Sequence, residues 1–230
     1  MVDTVLFDLD GTLIDTAPEI ADAVNATLHR LGLGPAARAQ VRHWIGDGTR
    51  ALLTKAITAS GVPAASVPTL VQQAWPGFEL DYQESCGTTS VPYPGAERAL
   101  RRLRAAGVRC ALVTNKEAAF SHRLLVRHGI AELFDVMVCG DTLPVRKPDP
   151  TMALHALAAL GAAREQALFV GDSVVDVRTA RAAGLPIWAV QHGYGLAGMA
   201  GDDAPDRFIA HFDELGEAIA SDRDARISIF

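Results

Sequence analysis

The chain has 230 residues, 49% of them apolar, with a formal net charge of −6 and ordinary levels of Gly (20) and Pro (12). That composition closes a folded core and excludes a fibre or a disordered chain. The acidic balance is a poor match to nucleic acid or anionic lipid, so neither is expected as a partner, whereas a small anionic substrate still fits a locally positive site.

The chain opens MVDTVLFDLDGT, without the basic leader and apolar stretch of a signal peptide. Residues 5–7 predict a short buried strand. Helical patterns follow at 16–31, 40–60 and 66–85, the first opening with Thr16-x-x-Glu19, a capping-box signature. Val91-Pro92-Tyr93-Pro94-Gly95 then forms a stiff extended connector. Beyond it, buried strands are expected at 108–113, 136–139, 168–170 and 187–190, separated by helices at 118–127, 150–160 and 174–183. This alternation predicts an α/β fold, a doubly wound parallel sheet with helices on both faces. The hundred or so residues between the first two strands far exceed one crossover. Residues 16–90 are therefore read as an inserted α-helical cap domain, and 1–15 with 91–230 as the core. The apolar tail at 227–230 packs on the core or frays.

Cys86, Cys110 and Cys139 are odd in number and form no CxxC pair. Free, buried thiols and a reducing cytoplasm are expected. No run of about 18 apolar residues occurs, so no membrane span is expected.

In an open parallel sheet, ligands bind beyond the carboxyl ends of the strands. Four polar clusters fall there: Asp8-Leu9-Asp10-Gly11-Thr12, Thr114-Asn115-Lys116, Lys147-Pro148 and Gly171-Asp172-Ser173-Val174-Val175-Asp176. Asp8 and Asp10 are two apart and share one side of an extended chain. Together with Asp172 they crowd carboxylates that repel unless a cation intervenes. An all-oxygen site with room for water and phosphate suits Mg2+. Lys147 adds a positive charge and Thr114-Asn115 add donors, which makes a phosphoryl-transfer site. Taken singly the parts have plainer readings: Asp10-Gly11 as a turn, Thr114-Asn115 and Ser173 as helix caps, Lys147-Pro148 as a helix start. Asn115 and Lys116 remain open between these readings.

The motifs DxDxT (Asp8, Asp10, Thr12), Thr114, Lys147 and GDSxxD (Gly171, Asp172, Ser173, Asp176) resemble, in order, those of the haloacid dehalogenase superfamily. The resemblance implies Asp8 as nucleophile, Asp10 as general acid and base, and Thr114 and Lys147 as phosphoryl ligands. It also implies Mg2+ on the Asp8 and Asp172 carboxylates and the Asp10 main-chain oxygen, with Asp176 in the outer shell. Lys147 is further expected to hold Asp8 in place.

Arg42-His43-Trp44-Ile45-Gly46-Asp47-Gly48, Tyr93-Pro94-Gly95 and Gly193-Tyr194-Gly195 are similar to segments of phosphoglycolate phosphatases. This implies a small phosphate ester as substrate, 2-phosphoglycolate first. Gly46 is expected in a ligand-facing loop, with Arg42 or Arg50 neutralising the substrate and Asn115 binding it. His43 and Trp44 are expected to pack within the cap. Alternatives are a phosphatase or pyrophosphatase for another small substrate, a sugar phosphomutase, a dehalogenase, or a phosphoaspartate receiver. Asp10 disfavours the dehalogenase, and the cap disfavours the receiver. A monomer or homodimer is expected.

Overall fold

Four consecutive residues with no polar face require a strand covered on both sides. β1 (Thr4–Phe7) meets that condition, buried along its whole length inside a parallel sheet. The computed structural model describes residues 2–219. The tail at 227–230 lies outside them. After β1 come β2 (Ile14–Asp15), α1 (Ala17–Arg30), α2 (Arg38–Trp44), α3 (Thr49–Ala59) and α4 (Val67–Ser85). Next are β3 (Val91–Pro92), α5 (Ala96–Ala105), β4 (Arg109–Val113), α6 (Ala118–Arg127), β5 (Val136–Val138) and α7 (Thr151–Leu160). β6 (Ala167–Gly171), α8 (Val174–Ala183), β7 (Ile187–Val190) and β8 (Arg207–Ile209) follow.

The sheet order is β5-β4-β1-β6-β7-β8, parallel throughout. The chain winds one way from β1 to β5 and the other way from β6 to β8. The crevice between β1 and β6 is therefore the topological switch point, where such sheets bind ligands. Strand alternation divides the core. Val5 and Phe7 join one apolar cluster, and Leu6 joins a second on the opposite face. Cys86, Cys110 and Cys139 are buried and free, as expected.

β2 and β3 pair antiparallel, Ile14 with Pro92 and Asp15 with Val91. The helical segment therefore leaves and re-enters the sheet domain at one two-stranded ribbon. Its interior, including Val24, Leu28, Leu53, Ile57, Phe78 and Tyr82, is continuous with the first cluster. Tyr82 meets Phe120 of α6 at a ring-centroid distance of 4.6 Å. Among the described residues, no helix is long and apolar enough to cross a membrane.

Three local expectations are corrected. The helix expected at 40–60 is two helices, α2 and α3. Ile45 is extended, and Gly46 and Gly48 take φ of +128° and +92°, which a helix does not accommodate. The capping box at Thr16 does not form. Thr16 Oγ1 instead donates to Asp10 Oδ1 (2.6 Å), and Glu19 turns inward to accept from the N–H groups of Gly87 and Ser90. The free N–H groups of Thr16 and Ala17 donate to the Tyr194 hydroxyl (2.8 and 3.1 Å), which does the capping. Finally, α5 and β8 add to the expected elements. β8 has only three residues and two of them are exposed, so it has no apolar run to betray it.

Phe120 is 1% exposed and joins the sheet domain to the helical segment. Phe120→Ala is expected to lower the unfolding free energy by about 3–5 kcal/mol, read by equilibrium urea denaturation. A loss well under ~1 kcal/mol would show that this contact is not part of a close-packed core.

Candidate active site

The loop after β1 is wound tightly: the N–H groups of Thr12, Leu13 and Ile14 all donate to the Leu9 carbonyl. Gly11 takes φ +82° with its Cα against the Asp172 carboxylate and the Tyr194 ring, so any Cβ would collide. The loop therefore presses Asp8 and Asp10 toward the end of β6. There Ser173 and Asp176 form the reciprocal capping box that starts α8.

Lys147 is the centre of this edge. Its Nζ lies 2.8 Å from Asp8 Oδ1 and 2.7 Å from Asp176 Oδ1, with all three groups buried. Its backbone is fixed by Asn115, whose Oδ1 accepts from Lys147 N (2.8 Å) while Nδ2 donates to Lys147 O (3.0 Å). The same Nδ2 donates to Gly46 O in the α2–α3 loop (2.9 Å). The side-chain amide is thus committed to backbone groups and positions Lys147 and the α2–α3 loop. Asp176 Oδ2 accepts from Asp172 N, Ser173 N and Ser173 Oγ. Asp172 accepts from Thr12 Oγ1 (3.3 Å) and from Tyr194 N (2.6 Å).

Burial pushes the Asp8 carboxyl up to about 6; Lys147 opposes the rise and the Asp176 charge adds to it. Asp172 is held well above the carboxylate range by burial, then by repulsion from Asp176 and Asp8. Burial works against the Lys147 charge, but Asp176 and Asp8 outweigh it and keep the ammonium protonated. Carboxylate oxygens of Asp8, Asp172 and Asp176 lie within 4.8 Å of one another. One ammonium among three carboxylates leaves negative charge that a hard divalent cation fits. Asp176 takes Lys147 on one oxygen and three donors on the other, whereas Asp172 meets one donor on each oxygen and Asp8 gives one oxygen to Lys147, so Asp8 and Asp172 have more lone-pair capacity for such an ion.

Beside this cluster is a narrow cleft, lined on the sheet side by Asp8, Asp10, Thr114, Asn115 and Lys116. Ile20, Ile45, Gly46, Gly48, Thr49 and Leu52 line the helical side. Of the expected residues, Asp8, Asp10, Thr114, Asn115 and Gly46 thus face one space, and Lys147, Asp172 and Asp176 surround Asp8. Arg42 and Arg50, expected to neutralise the substrate, do not line it. Arg42 donates to His192 O (3.2 Å) and stacks over Tyr194, and Arg50 stacks over Trp75. Each exposed guanidinium finds an aromatic face rather than the cleft. Trp44 packs as expected, but His43 is exposed.

The sequence reading left Lys116 open. It is 3% exposed, with Nζ 2.9 Å from Asp10 Oδ2 and 5.0 Å from the Tyr82 ring centroid. The available signal was its spacing: Lys116 follows Thr114 by two, the same-side rule already applied to Asp8 and Asp10.

Crowded buried carboxylates cost stability rather than supply it, so this sheet edge is built for reaction: the fold and site define an α/β enzyme of the open-sheet type. The chain belongs to the haloacid dehalogenase-like hydrolase family, whose model matches residues 5–190. It is 44% identical over 191 residues to a phosphoglycolate phosphatase of Pseudomonas putida, covering 83% of this chain and 70% of that one. It is 37% identical over 213 residues to a phosphoglycolate phosphatase of Nitrosococcus oceani, covering 92% and 93%. Among solved structures it resembles a predicted phosphoglycolate phosphatase from Haemophilus somnus, with TM-score 0.85, 29% identity and coverage of 95% and 98%.

The raised Asp8 carboxyl fixes the sign of a stability test. Its folded value of about 6 exceeds the ordinary 3.8, so ionised Asp8 destabilises the fold above that interval. In chelator at pH 7.5, Asp8→Asn is expected to be more stable than the parent by roughly 1–3 kcal/mol. The gap should close between pH 6 and 4 as Asp8 protonates in both states. Denaturant titration across that range checks it; a variant less stable at pH 7.5 would contradict the balance of charges.

Proposed function

We propose that the protein is a Mg2+-dependent phosphatase that cleaves a small phosphate monoester through an aspartyl phosphate on Asp8. 2-Phosphoglycolate is the favoured substrate. The carrying observation is that Asp8 lines the cleft with one oxygen held by Lys147, leaving the other for phosphorus. Two supports narrow the substrate: the cleft wall is partly apolar, and the curated relatives share the phosphoglycolate phosphatase name.

In this reading Asp8 attacks in line, and Thr114 and Lys147 bind the phosphoryl oxygens. Asp10 gives a proton to the leaving alkoxide, then takes one from the water that cleaves the acyl phosphate. The carboxylates of Asp8 and Asp172 and the main-chain oxygen of Asp10 would hold the metal. Asp176 stands outside it, fixing Lys147 and the start of α8. Bound there, Mg2+ supplies charge neutralisation for the phosphoryl oxygens and the acidic cluster. Residues 16–90 serve as a cap joined through the β2–β3 ribbon, excluding water from the cleft.

Steady-state phosphate release from 2-phosphoglycolate with added Mg2+ tests this. Asp8→Asn is expected to reduce kcat by on the order of 10³-fold or more, and excess chelator to stop turnover. Retention of a tenth of the activity by the variant would remove Asp8 as nucleophile. Release that persists in chelator would remove the metal.

A further inference from the structure

Asp10 has both carboxylate oxygens engaged. Oδ1 accepts from Thr16 Oγ1 at 2.6 Å, and Oδ2 pairs with Lys116 Nζ at 2.9 Å. A general acid and base needs one oxygen turned to the leaving group. Thr16 stands at the start of α1, with its own N–H anchored on Tyr194. Lys116 carries its charge on a flexible four-carbon stem, and among the described residues lining the cleft it is the one cation. It is thus the partner that can exchange.

The exchange has a condition. Lys116 is buried, and a buried ammonium without a carboxylate or equivalent partner is strongly unfavourable. The cap wall beside it offers the apolar Ile20, Ile45 and Leu52 and the neutral Thr49 hydroxyl, none of which has the charge to replace Asp10. A phosphate ester with a neutral leaving group therefore leaves Lys116 on Asp10. An ester whose leaving group has its own carboxylate brings Lys116 a new partner. We infer that Lys116 reads a second anionic group on the substrate and, in turning to it, frees Asp10 Oδ2 to face the departing ester oxygen. Substrate selection and acid–base competence are then one event. The class this selects is phosphorylated hydroxy acids, whose departing group carries its own carboxylate. This inference rests on the phosphatase reading and adds the specificity-determining residue to it.

The test compares 2-phosphoglycolate with 2-hydroxyethyl phosphate, which has the same chain length and a hydroxymethyl group in place of the carboxylate. The parent enzyme is expected to prefer phosphoglycolate by at least about 50-fold in kcat/KM, with a substantial part of the preference in kcat. Lys116→Met should collapse the ratio to within about 5-fold, by loss on phosphoglycolate together with a gain in kcat on 2-hydroxyethyl phosphate as Asp10 is freed, and Lys116→Arg should restore part of it. The ratio within each variant is the readout, so a general loss of activity does not mimic the result. Equal kcat/KM on the two esters in the parent overturns the inference without any variant having to fold. So does an undiminished ratio in Lys116→Met, and so does a preference confined to KM, because release of Asp10 must act on turnover. Failure of the parent to release phosphate from any ester with Mg2+ would instead strike the phosphatase reading beneath it.

Discussion

The structure turns on the ammonium of Lys147 buried between Asp8 and Asp176. A buried ion pair is weak support for a fold, but removing the shared ammonium would strand both carboxylates at high cost. Here one ammonium serves two carboxylates, with the third, Asp172, close by. The arrangement holds only because backbone groups come unusually near. Gly193 places its Cα against the Asp172 side chain, and Gly171 does the same against Asp176. The acidic cluster is assembled at the expense of stability, in the crevice that the winding of the sheet creates.

The helical segment is tied to that cluster by few but well-chosen contacts. Asn115 bonds Gly46 of the α2–α3 loop and both backbone groups of Lys147. One amide therefore registers the position of the loop and of the lysine that holds Asp8. Arg42 of α2 reaches His192 O, two residues from the Tyr194 N–H that binds Asp172. Thr49 and Glu117 form a further hydrogen bond across the same seam. Movement of the helical segment would thus be felt at both ends of the carboxylate cluster.

Much of this was legible in the sequence. Strands fully buried in a parallel sheet read as short apolar runs, and the polar clusters after them fall at one edge by topology alone. What escaped was set by tertiary partners. Thr16 and Glu19 have the spacing of a capping box, but Asp10 and the Gly87–Ser90 turn offer them better partners. The break at Gly46 and Gly48 was visible as two glycines, yet the apolar periodicity runs through them. Arg42 and Arg50 sit where an anion-binding arginine would, but a side chain that long chooses its contact by what lies within reach. Tyr194 caps α1 from 178 residues away, a distance over which no local pattern exists.

The cluster places one residue type in four different hydrogen-bonding environments, and the proposed mechanism gives each a different part. Asp176 accepts from three donors and a lysine, so its capacity is spent and it can only orient. Asp172 is held by one backbone N–H and a long bond from Thr12, which fixes its direction and leaves lone pairs open. Asp8 gives one oxygen to Lys147 and faces the cleft. Asp10 is divided between a fixed hydroxyl and a movable ammonium. Counting donors on each carboxylate therefore separates the orienting, ligating, attacking and proton-carrying candidates. That count is set by glycines, N–H groups and a lysine whose places are decided by the fold, so the division of labour is a property of the sheet edge rather than of the aspartates themselves.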